Sequence, residues 1–227
     1  MDNQRSGFSN YMPPVTKNII IINVLMWLAC IVFEKANSSV DLLNLLGLHF
    51  FAAEGFKIFQ TITYMFLHAT LDINGNIQFG HIFFNMFAVY MFGRTVEYIW
   101  GSKQFLIYYI VTGIGAGLIQ ELVWLFTVPP QYYEFMLTVG ASGAVFGILL
   151  AFGVMFPNAP LYIMFIPIPV KAKYVVIGYG IMELFMGVSN QAGDNVAHFA
   201  HLGGMLFGII LLLFWKKKGR LYGQRTR

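Results

Sequence analysis

Apolar residues in this chain come in long blocks, not in the short alternation of a strand or the one-sided stripe of a surface helix. Six blocks stand out, at residues 19–33, 81–98, 105–126, 142–156, 174–188 and 196–215. A helix needs about 20 apolar residues to cross the hydrocarbon core of a bilayer. Several blocks are shorter, but flanking residues extend them, and short spans occur where the bilayer thins or an end is buried in protein. Two further apolar stretches do not read as spans. Residues 42–56 carry Asn44, Gly47, His49 and Glu54, which predicts an interfacial, partly helical segment. Residues 161–170 follow Pro160 and are broken by Pro167 and Pro169, which predicts an interfacial loop. The pattern thus predicts an all-α membrane protein: a six-transmembrane-helix bundle with a large first external loop. That loop contains the turn-rich run Asp72-Ile73-Asn74-Gly75-Asn76.

Composition strengthens the assignment. The chain is 58% hydrophobic and 11% charged, against about 25% charged for a soluble domain. So much apolar surface exceeds what one soluble core of this length can hide. The single cysteine, Cys30, lies in the first block and excludes an intrachain disulfide or a cysteine metal cluster. Residues 1–18 lack the layout of a signal peptide or a transit peptide, so the first block reads as a retained span. The division expected is a cytoplasmic tail over 1–18, a membrane domain over 19–215 and a basic cytoplasmic tail over 216–227.

Charge then sets the orientation. Six spans put both termini on one side. Placing that side in the cytoplasm assigns to it Arg5, Lys17, Arg94, Lys103, Lys171, Lys173 and the tail residues Lys216, Lys217, Lys218, Arg220, Arg225 and Arg227. Lys35 and Lys57 alone fall outside, as the positive-inside rule requires. The compact chain points to a bacterial cytoplasmic membrane.

The second, fourth and sixth blocks run from outside to inside, and their polar residues cluster at the outer end. His81 and Asn85 form an i, i+4 pair, Ser142 heads the fourth block, and His198 and His201 form an i, i+3 pair in the sixth. At a rise of ~1.5 Å per residue, His201 sits only about 8 Å below Val196. One thin layer therefore holds a hydroxyl, three imidazoles and an amide. Polar groups at this depth face the bundle interior or a wet cavity and default to function. Gly143-x-x-x-Gly147 and Gly204-x-x-x-Gly208 predict close approach of the fourth and sixth helices, which brings Ser142 to His201 or His198.

A serine needs a neighbouring base to act as a nucleophile at neutral pH, and histidine suits that task. Attack on a carbonyl makes an oxyanion that needs preorganised donors. The Ser142 backbone N–H, the Asn85 amide and the His81 ring are suited to supply them. Asp194, the nearest carboxylate in sequence, precedes the sixth block, so a Ser-His dyad is the simpler reading. Glu121 and Glu183 read as hydrogen-bonded packing groups, His198 as a structural or supporting residue, and His49 and His68 as loop residues.

Several motifs, in order, resemble the rhomboid family of intramembrane serine proteases. Gly140-Ala141-Ser142-Gly143 looks like its nucleophile motif and Ala200-His201-Leu202-Gly203-Gly204 like its histidine motif. His81-x-x-x-Asn85, Glu97-x-x-x-Gly101-Ser102 and the run from Thr63 to Ala69 are similar to further family elements. The resemblance implies a six-helix fold cleaving single-pass membrane proteins, with no metal, nucleotide or other cofactor and no nucleic-acid partner. It makes Ser142 the nucleophile and His201 the base. His81, Asn85, Gly140 and Ser142 become the oxyanion hole, and Phe146 packs on His201. The fifth helix and the loop after it would gate the site. Two features depart from the family: Phe59-Gln60 stand where a Trp-Arg pair is usual, and the link from His68 to His81 is longer. Two other classes compete. One is an inactive relative that binds or escorts membrane proteins. The other is a metal-dependent protease or transporter using His81, His198, His201 and Asp194.

Overall fold

The computed structural model describes residues 12–36, 38–72, 74–162, 168–189 and 197–222. Asp194 and most of the loop before the last helix lie outside the described residues.

Helix α1 (Pro14–Lys35) starts before its apolar block, and a distant carboxylate explains why. Pro14 lacks an N–H and so suits the first helical position. Glu97 accepts the next two N–H groups, from Val15 at 3.0 Å and Thr16 at 2.7 Å, and also the Thr16 hydroxyl at 2.7 Å. Ser102 donates to the same carboxylate at 2.7 Å. Glu97 is buried but has donors on both oxygens, and its charge lies at the positive end of α1.

The first loop is built of short pieces around one amide. Helix α2 (Leu42–Leu46) is capped by the Asp41 side chain, which accepts from Asn44 N–H at 3.0 Å. Strand β1 (Leu48–His49) pairs antiparallel with β2 (Leu137–Thr138), Leu48 opposite Thr138. Helix α3 (Gln60–Thr63) follows. Buried Gln60 donates to the Leu45 and Gly55 carbonyls at 3.2 and 3.1 Å and accepts from Lys57 N–H at 3.0 Å. It thus stands at the hub of the loop, in the region where the Trp-Arg pair is missing.

The second apolar block forms one rod in three parts: α4 (Phe79–Ala88), a π-helical turn (Val89–Gly93) and α5 (Arg94–Trp100). Gly101, at φ +77°, turns the chain into α6 (Ser102–Thr127). Then come α7 (Ser142–Met155), a short antiparallel pair of β3 (Pro160–Leu161) with β4 (Val170–Lys171), α8 (Ala172–Ser189) and α9 (His198–Lys217). Among the described residues, every apolar block therefore falls in helix apart from an end residue such as Phe156 or Ala197. Four helices among the described residues, α1, α6, α8 and α9, are each long and apolar enough to cross a membrane. Helix α7 is apolar but shorter, at 14 residues.

Helix α6 runs through the middle of the bundle, and its small residues make that possible. A side chain at Gly113 would collide with Met65, and one at Gly115 with Phe207 of α9. The expected close approach of α7 and α9 is present, tightest where a Cβ on Gly204 would strike the Gly143 carbonyl and continued where one on Gly208 would meet Leu150. Gly147 does not serve that contact. It faces α6, where a Cβ would lie 2.8 Å from Thr112. Its role is to admit the central helix, which the spacing alone did not reveal. At the opposite end from Ser142, Trp100, Tyr108 and Trp215 pack edge to face and tilted, and Trp100 Nε1 donates to the Leu221 carbonyl at 2.8 Å.

Candidate active site

Ser142 is the first residue of α7, after Gly140 and Ala141. Gly140 has φ +134°, backbone that only glycine adopts without strain. Its N–H donates to the Tyr64 carbonyl at 2.9 Å, which pins the turn to the first loop. The N–H groups of the first α7 turn, Ser142 included, have no acceptor within their own helix.

His201 lies in the first turn of α9, and its Nε2 is 2.8 Å from Ser142 Oγ. Close approach of α7 and α9 at Gly204 and Gly143 sets this distance. Phe146, one turn beyond Ser142, stacks on the His201 ring with centroids 4.3 Å apart and planes 9° from parallel. Tyr179 of α8 packs edge-on against the other side of this contact, 6.1 Å from the Phe146 ring.

The far side of His201 meets a carboxylate, from Glu183, which the sequence alone presents as a packing group. Glu183 of α8 has one oxygen, Oε2, 2.9 Å from His201 Nδ1 and 2.6 Å from His198 Nδ1. All three side chains are buried. Glu183 is therefore more than a packing group. A carboxylate offers only acceptors, so both Nδ1 atoms carry protons. In that tautomer His201 presents a lone pair at Nε2 towards Ser142. The signal missed in the sequence was Glu183 at the depth of two histidines, on a helix whose facing is hidden from periodicity.

His81 heads the other wall. Its Nδ1 accepts the Ala69 N–H at 3.2 Å, which leaves the proton on Nε2. That nitrogen faces Gly140: a Cβ there would lie 3.2 Å from His81 Nε2 and 3.6 Å from Ser142 Oγ. Absence of a side chain at Gly140 thus keeps a gap between a serine oxygen and an imidazole N–H. Asn85 sits one turn below and donates one amide hydrogen to the His81 carbonyl at 2.9 Å, keeping a second. His68, from the first loop, packs edge-on against His81 with centroids 4.9 Å apart. Neither of its ring nitrogens has a hydrogen-bond partner among the described residues. Burial pushes the His68 pKa down to about 3, assisted by the neighbouring His81, so the ring is neutral.

Of the residues suggested as metal ligands, His198 and His201 come together with Glu183, their ligand atoms all within 4.8 Å. Direct hydrogen bonds join these three side chains, and His81 stands on the opposite side of Ser142 and Gly140. His49 is a loop residue as expected, its Nε2 2.8 Å from the Asn44 carbonyl.

The described residues thus place a serine against an imidazole, with a donor-lined gap beside it, on a bundle that contains membrane-length helices. Residues 55–218 match the Rhomboid domain, and the chain belongs to the rhomboid family. It is 28% identical over 214 residues to the Putative rhomboid protease YdcA of Bacillus subtilis, covering 92% of each chain. It is 30% identical over 187 residues to Rhomboid-like protein 11, chloroplastic, of Arabidopsis thaliana, covering 74% of this chain and 60% of that one. Rhomboid-like protease 3 of Toxoplasma gondii is 24% identical over 206 residues, with 88% of this chain and 68% of that one covered. The chain spans less than two thirds of the length of its plant and yeast organellar relatives, at 60%, 37% and 45%. The protein is an integral membrane protein of a family with members named as proteases. Its relatives are bacterial, mitochondrial and chloroplastic.

Proposed function

We propose that this protein is an intramembrane serine endopeptidase that cleaves transmembrane segments of single-pass membrane proteins with a Ser142–His201 dyad. The 2.8 Å contact of His201 Nε2 with Ser142 Oγ carries this reading. In the proposed reaction His201 Nε2 takes the Ser142 proton as Oγ attacks the scissile carbonyl carbon. The carbonyl π electrons move to oxygen. The oxyanion occupies the gap beside Gly140, where His81 Nε2–H and the Ser142 backbone N–H stabilise it and the second Asn85 amide hydrogen is near. His201 then protonates the leaving amine, and a water activated by the same ring releases the acyl group. Phe146 holds the imidazole plane through both steps.

Six spans with both termini in the cytoplasm support this chemistry, because Ser142, His81 and His201 then share a level near the outer face. The basic residues of the tail anchor that orientation on anionic lipid. A bacterial cytoplasmic membrane fits best, given the coverage of both chains in the match to the Bacillus protein. The direct test is reconstitution in liposomes with a single-pass reporter. Wild type is expected to release a fragment cut within or beside the transmembrane segment, also in strong chelator. Ser142→Ala is expected to be folded and inactive. Full cleavage by Ser142→Ala sinks the reading.

A further inference from the structure

Among the described residues, three features outside the dyad and its oxyanion site stand out. One is the Glu183 carboxylate between two imidazoles, another the unpartnered His68, and the third an apolar cavity of about 390 Å³ lined by Val154, Ile209, Leu212 and Lys216 among others. The first carries an inference furthest.

A buried carboxylate without partners costs several kcal/mol. Glu183 meets that cost by accepting from two imidazole N–H groups through a single oxygen, and both imidazoles come from the first turn of α9. Helix packing alone does not need this arrangement: α8 has other apolar contacts with the bundle, such as Tyr179 on Phe146. What the carboxylate does fix is the chemistry of His201. Its acceptor at Nδ1 selects the tautomer with a free lone pair at Nε2, the atom 2.8 Å from Ser142 Oγ. It also lies next to the ring that becomes an imidazolium when Ser142 is deprotonated.

We propose that Glu183 is a positioning residue, the third member of a Ser142–His201–Glu183 relay, and that His198 holds its carboxylate in line. The inference rests on the proposed peptidase reading and goes beyond it, because the dyad alone assigns Glu183 no part. The proton balance is simple. The Ser142 proton moves to Nε2 and later to the leaving amine, while the Nδ1 proton stays on His201. Glu183 gains and loses no proton; its charge stabilises the cation that forms between the two transfers. Because Glu183 stands on α8 whereas the base stands on α9 and the nucleophile on α7, the base is set correctly only when α8 is docked.

Among the described residues, the titratable groups facing His201 are Glu183 from α8, Ser142 from α7, His81 from α4 and His198 on its own helix. From α6, Ala116 and Ile119 pack against Gly203, and the buried Glu121 carboxylate accepts the Phe51 N–H of the first loop at 2.8 Å. Glu183 is thus the anion that favours the imidazolium, and its removal has a defined sign. In Glu183→Gln, kcat is expected to fall by about 10²–10⁴-fold with KM little changed. The acid limb of the kcat/KM profile moves to lower pH, since the imidazolium has lost its counter-charge. Glu183→Asp keeps the charge and the acceptor and should recover most of the activity and the wild-type limb. Thermal unfolding in detergent and fluorophosphonate labelling of Ser142, followed on the same samples, separate a folding defect from a slower base.

Wild-type kcat and an unshifted acid limb in Glu183→Gln overturn the proposal while leaving the dyad intact. Equal loss in Glu183→Gln and Glu183→Asp, in step with lost thermal stability, overturns it as well, because it makes Glu183 structural only. A wild-type protein with neither cleavage nor Ser142 labelling removes the peptidase reading itself, and the relay with it.

Discussion

At the scale of single residues, the site depends on protonation states fixed by neighbours. His81 is held with its proton on Nε2 by the Ala69 N–H, and His201 with its proton on Nδ1 by Glu183. Two imidazoles of the same type are thus set for opposite tasks, one as donor and one as acceptor. His68 shows the cost of a buried ring whose nitrogens have no hydrogen-bond partner among the described residues. Its pKa is about 3 when folded, against ~6.5 when unfolded. Below about pH 6.5 the unfolded chain binds a proton that the folded chain refuses. The stability tied to neutral His68 is present above that pH and is lost as pH falls towards 3. Thermal unfolding in detergent is expected to show a loss on the order of 2–3 kcal/mol between pH 7 and 4.5, and His68→Leu should remove much of that acid sensitivity. An acid response in His68→Leu equal to that of wild type would reject this account.

Sequence made part of this legible. The meeting of Ser142 with His201 and His81 could be read because local motifs carry them, and the stacking of Phe146 on His201 was implied by the family resemblance. Glu183 could not, because it is 15 and 18 residues from its partners and on another helix. An acidic residue near a helix end reads the same whether it packs or orients a base. Glu97 is a similar case. Its motif was visible, but the N-terminus of α1 that it caps is more than 80 residues away.

At the scale of elements, glycine decides which helices touch. The spacing of Gly143, Gly147, Gly204 and Gly208 suggested close contact between α7 and α9. The contact exists at Gly204, whereas Gly147 opens towards α6. Periodicity shows that a helix has a small face and not which neighbour fills it, so the central place of α6 was not legible. A methyl group at Gly204 meets backbone, which cannot rotate away. Gly204→Ala is therefore expected to destabilise by about 1–3 kcal/mol and to widen the gap between His201 and Ser142. Gly178→Ala is the control, since nothing lies within 4 Å of the added carbon. Equal unfolding temperatures for the two variants would show that α7 and α9 have room to spare.

At the scale of the whole molecule, the first loop and the bundle form one support for the site. Tyr64 links them twice, through its hydroxyl to the Gly113 carbonyl at 2.6 Å and through its own carbonyl to Gly140 N–H. Gln60 braces the loop with its amide, in the stretch where the family pattern departs. The six-span topology proposed here places both termini in the cytoplasm. Single cysteines introduced before α1 and after α9 should both resist a membrane-impermeant thiol reagent in intact cells and both react after lysis. Opposite accessibility of the two ends would require an odd number of spans and would separate the basic tail from Lys17.

The central claim is that Ser142 is a nucleophile activated by His201. It is tested most directly by intact-mass analysis of the detergent-solubilised protein after treatment with a fluorophosphonate. The account predicts one adduct, mapped to Ser142, that is lost in His201→Phe while that variant still unfolds cooperatively. No adduct on the wild-type protein, or equal labelling in His201→Phe, would contradict it.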